Sequence, residues 1–170
     1  MGEFREDTTV YPTMIRLRDC LCAELAKSNL PTPCFCDLMP ADSDGLIDVQ
    51  CGDDGDECGG NAYVRLVTAY PSVLLPTPEV ALTDGAFLAA QFEVGVARCI
   101  KVIDEDGSAP SAVDQHMDTR LLMADMAAMR RAITCCFRDT DQDFVLGSYV
   151  PMLGMGGVGG GSWQVYAKVS

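Results

Sequence analysis

The chain is poor in positive charge, aromatic rings and imidazole: 170 residues hold 12 lysines and arginines, 7% aromatics, one tryptophan and one histidine. Against 25 acidic side chains this leaves a formal net charge of −13. So few cations argue against a surface that grips a nucleic-acid backbone, because such affinity comes from lysine and arginine displacing counterions. No stretch reaches the roughly 18–20 apolar residues that span a bilayer, so no membrane partner is expected. The N-terminus carries Glu3, Glu6 and Asp7 and lacks the basic region and apolar run of a secretory signal, so synthesis in the cytosol is expected. Apolar residues are plentiful, at 48%, too many for a disordered acidic tail. The length suits one domain, 1–170, with its own core.

Periodicity organises that domain. After an arm at 1–12, Met14, Leu17, Leu21 and Leu25 recur at helical spacing, which predicts a helix from Thr13 to Ser28. An acidic loop region follows at 37–60; from Asp37 to Glu57 it has eight acidic residues and no basic one. Leu46, Ile47 and Val49 are material for a short strand within it. Alternation predicts strands at Ala62–Tyr70 and Phe87–Ile103, where Arg98 interrupts an apolar face and suggests a bend, a bulge or a partner contact. Between them Pro71, Pro76 and Pro78 punctuate a connection.

The segment Ser111–Cys136 reads as a long helix. Ser111 and Asp114 form a cap pair, and the lines Met117–Leu121–Ala124–Ala128–Ala132 and Leu122–Met126–Met129–Ile133 make a broad face expected to be buried on a sheet. Strands are predicted at Phe144–Val150 and Trp163–Val169, separated by a glycine-rich loop at 151–162. Helix, strands, helix, strands describe an α+β fold: an antiparallel or mixed sheet packed against a long helix, with an N-terminal helix.

The chemistry-bearing side chains suggest no catalytic site. Nine cysteines invite zinc, yet none of the pairs has the usual spacing; the best set is Cys34, Cys36, Cys51 and Cys58, around the acidic segment. A Cys51–Cys58 disulfide closing a short glycine-rich loop has the stronger claim. Buried free thiols are the expectation for the others. The glycine tract Gly154–Gly161 lacks both the Lys-Ser/Thr pair and the helix of a phosphate loop. Asp53, Asp54, Asp56 and Glu57 lack calcium-loop spacing, and His116 has no nucleophile motif. No cofactor is implied.

Four pieces carry a resemblance: Cys58-Gly-Gly-Asn-Ala-Tyr-Val-Arg-Leu-Val-Thr-Ala-Tyr-Pro-Ser72, Phe92-Glu-Val-Gly-Val-Ala-Arg-Cys99, Met129-Arg-Arg-Ala-Ile-Thr-Cys135, and Gly147-Ser-Tyr-Val-Pro151 through Gly159-Gly-Gly-Ser-Trp-Gln-Val165. In their order the chain resembles the head-to-tail connection proteins of long-tailed phages infecting actinobacteria, most nearly the tail terminators. The resemblance runs from about Tyr11 onward. It implies a non-enzymatic virion protein, assembled in the host cytoplasm into a homo-hexameric ring. That ring would cap the tail tube, end its elongation and meet the head-completion or stopper protein, with DNA passing through the lumen.

The subunit contacts implied lie in the Leu74–Val80 and Gly154–Gly161 loops, with Leu74, Met155, Val158 and a sheet-edge Arg98 as candidates. Asp53 and Asp54, in the acidic Ser43–Glu57 loop, would meet tube or head. An acidic lumen wall would let DNA pass by repelling phosphate. The alternatives are another neck connector, such as a stopper, or a zinc-stabilised module that binds a protein.

Overall fold

The computed structural model of the chain describes residues 7–40, 59–79, 84–103, 107–155 and 157–169. Its elements are α1 (Val10–Lys27), β1 (Phe35–Met39), β2 (Asn61–Ser72), β3 (Phe87–Cys99), α2 (Ala112–Arg138), β4 (Phe144–Met155) and β5 (Val158–Lys168). The five strands form one sheet in the order β1-β2-β3-β5-β4. β1 runs parallel to β2, and every other pairing is antiparallel. The expected α+β build, a mixed sheet against a long helix with a second helix at the N-terminus, is therefore present.

The core lies between the sheet and the helices. Alternate residues of β3, Ala90, Phe92, Val94 and Val96, share it with Val64 of β2 and Val165 of β5. Leu17, Leu21 and Leu25 of α1 and Met129, Ile133 and Phe137 of α2 close over them. Full burial of one such side chain stabilises by about 1.5–3 kcal/mol, so the three leucines alone seat α1 firmly. Phe137 also stacks on Phe144 with ring centroids 4.6 Å apart, and Trp163 Nε1 donates to the Met126 carbonyl at 3.0 Å.

Both helix starts are fixed by side chains. Ser111 Oγ accepts from the Asp114 amide at 3.1 Å while its hydroxyl donates to the Asp114 carboxylate at 2.8 Å, so the cap pair read in the sequence forms. At α1 the Asp7 carboxylate accepts from the amides of Val10 and Tyr11 at 2.7 and 2.6 Å. These bonds hold the carboxyl below the usual aspartate range. The helix therefore begins inside the 1–12 arm, at Val10 rather than Thr13.

Three further expectations change. The 37–60 region is not loop throughout: β1 spans Phe35–Met39 at the sheet edge, while the strand expected around Leu46–Val49 lies outside the described residues. A parallel neighbour needs a connection of about a dozen residues or more, and residues 40–60 supply one. The glycine tract is also no open loop. β4 passes through Pro151 to Met155, and Gly159, Gly160 and Gly161 pair inside β5 with Arg98, Ala97 and Val96 of β3. Proline is tolerated because β4 is an edge strand. A side chain at Gly161 would run into the Tyr149 hydroxyl and ring, so the glycines there serve close packing.

The third change concerns α2. Its buried residues begin at Asp125, and Val113, Met117 and Met123 on the N-terminal half are exposed. That half carries its apolar line past the face covered by the sheet and α1.

Candidate functional site

The β2–β3 hairpin presents the most sharply defined surface feature. Pro71 and Pro76 restrict the chain here, and the Leu75–Pro76 bond is cis. Four hydrogen bonds fix the tip. Ser72 Oγ donates to the Thr77 carbonyl at 2.7 Å and accepts from the Leu74 amide at 3.1 Å. The Thr77 amide donates to the Leu74 carbonyl at 2.8 Å, and the Tyr70 hydroxyl donates to the Pro76 carbonyl at 2.9 Å. On this braced turn Leu74 is 70% exposed, with Val73 beside it also exposed. Apolar side chains held outward by an ordered turn are preorganised for a protein contact, since little entropy remains to be lost on binding.

A second apolar surface lies on α2. Val113 is 71% exposed, and Met117 lies one turn further along the helix. The segment leaving β3 is fastened alongside: the Lys101 amide donates to Asp118 at 3.0 Å and its ammonium to Asp114 at 2.8 Å. Ile103, just beyond, is 65% exposed.

The sheet face away from the helices is polar. Glu93 on β3 sits opposite Arg65 on β2; it accepts from Arg65 Nη2 at 2.7 Å and from the Tyr63 hydroxyl at 2.8 Å. Burial alone would raise the Glu93 carboxyl, but the hydrogen bonds from Arg65 and Tyr63 outweigh it and leave the group below its ordinary value. Burial first, then the Glu93 charge, pushes the Tyr63 phenol well above the usual tyrosine range. Gln91 and Gln164 extend this network with a 2.8 Å bond. Elsewhere a shallow depression of about 400 Å³ is lined by Asp141, Asp143 and Lys168 among others.

Arg98 does not lie at a sheet edge. It sits on the central strand β3, 1% exposed, on the same alternation as Val94 and Val96. Its Nε and Nη2 donate to the two carboxylate oxygens of Asp125 at 2.8 and 2.7 Å, and its Nη1 donates to the carbonyls of Pro31 and Gly59. An arginine spent in this way joins β3 to α2 and to the segments flanking β1 and β2. It is an internal anchor on the central strand, not the sheet-edge residue expected.

Of the other candidates, Leu74 is exposed and ordered. Val158 is half-buried in β5, opposite Cys99 and Met155, which ends β4. Asp53 and Asp54 lie outside the described residues, so the acidic loop's contacts stay an expectation. His116 is exposed on α2.

The cysteines differ most from expectation. Cys20 on α1 is bridged to Cys136 on α2, and Cys22 on α1 to Cys36 on β1, with Cα–Cα separations of 5.9 Å in both. Cys34 and Cys99 are disulfide-bonded as well. Oxidised sulfurs at Cys34 and Cys36 do not offer the thiolates that zinc requires, which removes two of the four proposed ligands; Cys51 and Cys58 lie outside the described residues. Among the described residues, no group of three or more histidine, cysteine, aspartate or glutamate side chains is arranged to hold a metal ion, and no helix is long and apolar enough to cross a membrane.

Two kinds of pairing, the buried ion pair and the disulfides, are not among the expectations from the sequence. A lone base on an apolar strand face, Arg98, and a lone acid on an apolar helix face, Asp125, were a matching signal. The disulfides left none, because spacing along the chain does not encode which sulfurs meet. No protein-family model matches the chain, and no curated protein matches it.

Proposed function

We propose that the chain is a structural virion protein, a tail terminator of a long-tailed actinobacteriophage. Six copies would form a ring that caps the tail tube, ends its elongation and joins it to the head-completion or stopper protein of the neck. The observation that carries this reading is the braced β2–β3 tip, which holds Leu74 and Val73 outward. A ring closes through a heterologous contact in which two different patches of the same chain meet repeatedly. The exposed α2 surface around Val113 and Met117 is the second patch, on a different element.

The α+β build is the one the resemblance implies, and the excess of acid suits the ring's task. DNA in transit through a lumen with a net acidic wall is repelled rather than held. The ring would assemble in the host cytoplasm and remain in the virion neck. The test is the mass and shape of the particle formed in the presence of tail-tube protein.

A further inference from the structure

Helix α1 places Cys20 and Cys22 two residues apart, so their side chains leave the helix about 200° apart. The two bridges accordingly do different work. Cys22–Cys36 lies inside the unit made by α1 and β1, residues 10–39, and spans 14 residues. Cys20–Cys136 fastens that unit to α2 across 116 residues. Without sulfur bonds the unit is held by the Leu17, Leu21 and Leu25 contacts, by the β1–β2 ladder, five residues long at the sheet edge, and by the hydrogen bonds of Arg98 to the Pro31 carbonyl and of Arg16 to Gln142. One ion pair assists, Arg131–Glu24 at 2.8 Å, while Arg18–Asp37 at 3.1 Å lies inside the unit; both are on the surface, where such pairs contribute little.

We propose that the α1–β1 unit is a redox-locked element, seated by packing when its cysteines are reduced and fastened when they are oxidised. The oxidant is a low-molecular-weight disulfide. The Cys20 thiolate, half-buried, attacks one sulfur of that disulfide, forms a mixed disulfide and releases one small thiol; the buried Cys136 thiolate then displaces the second small thiol and completes the bridge. Two protein thiols lose two electrons and two protons, and the small disulfide gains them. Cys22 and Cys36 react in the same way. Cys135, exposed and unbridged beside Cys136, is outside both bridges, and Cys34, also within the unit and disulfide-bonded, is oxidised and reduced along with them. The lock does not depend on the ring.

The full chain is incubated with oxidised glutathione or with a phosphine reductant, and amide hydrogen exchange is followed by mass spectrometry, with alkylation to count thiols. In the reduced chain the α1 and β1 amides exchange at least about tenfold faster than in the oxidised chain, while β3 and β5 amides keep their protection. The Cys20→Ser/Cys136→Ser variant under oxidising conditions shows the faster α1 exchange, and Cys135→Ser behaves as the native chain. Free Cys20, Cys22, Cys36 and Cys136 thiols after glutathione treatment would overturn the proposal. So would equal α1 exchange in the two states, or loss of β3 and β5 protection on reduction.

Discussion

Arg98 and Asp125 form a fork-to-fork ion pair in the interior, with N–O distances of 2.8 and 2.7 Å and both side chains almost wholly out of water. Two charges taken from water are costly, and the pair is sustained because every guanidinium nitrogen has an acceptor. Asp125→Ala leaves that guanidinium buried and unpaired, and is expected to destabilise by about 3–5 kcal/mol in urea unfolding. Removing both charges, in Arg98→Met/Asp125→Leu, should cost less than Asp125→Ala alone. It should still cost something, since the Pro31 and Gly59 carbonyls lose their donor. A strictly additive double variant would contradict the assignment.

Glu93 gives the chain an acid-sensitive contribution to stability. Its folded carboxyl lies below the ordinary 4.5, so its contribution is fully present above that value and is lost as pH falls through the folded value. Glu93→Gln should be less stable than the native chain at pH 7, by about 1–3 kcal/mol. The difference should shrink below about pH 4.5 as the native carboxylate takes up its proton. Parallel unfolding curves from pH 7 to 3 measure it, and a difference constant with pH would count against the hydrogen-bonded carboxylate.

Gly95 lies directly under the Tyr63 ring, where a Cβ would meet the ring carbons. Gly95→Val is expected to destabilise by about 1–3 kcal/mol through forced displacement of that ring. Combined with Tyr63→Ala, the same substitution should cost distinctly less than the sum of the two single changes, because the clash is shared. Thermal unfolding of the four proteins in the cycle provides the comparison.

The sequence made some parts of the fold legible and concealed others for physical reasons. α2 was readable from its capped start and sustained apolar lines, and β5 from the alternation Trp163, Val165, Ala167. The alternation could not show where partner surface ends, which is why Met117 reads as buried and is exposed. β1 was missed because Phe35–Met39 has no clear alternation and owes its strand form to pairing with β2, a contact distant in sequence. The strand at Gly159–Gly161 was hidden because glycine reads as loop, whereas here it admits the close approach of β3, β5 and the Tyr149 ring. At the candidate site, the prolines marked the β2–β3 connection, but the bracing by Ser72 and Tyr70 is a property of the folded turn.

The proposed ring is tested most directly by native mass spectrometry of the chain mixed with polymerised tail-tube protein, with Leu74→Asp run alongside. The native chain should give a closed particle of about six times its 18.2 kDa mass. Leu74→Asp, at a side chain 70% exposed, should keep its folding stability within about 0.5 kcal/mol and yet remain a monomer. A native chain that stays monomeric at every concentration in the presence of tube protein, or a Leu74→Asp variant that assembles as the native chain does, would contradict it.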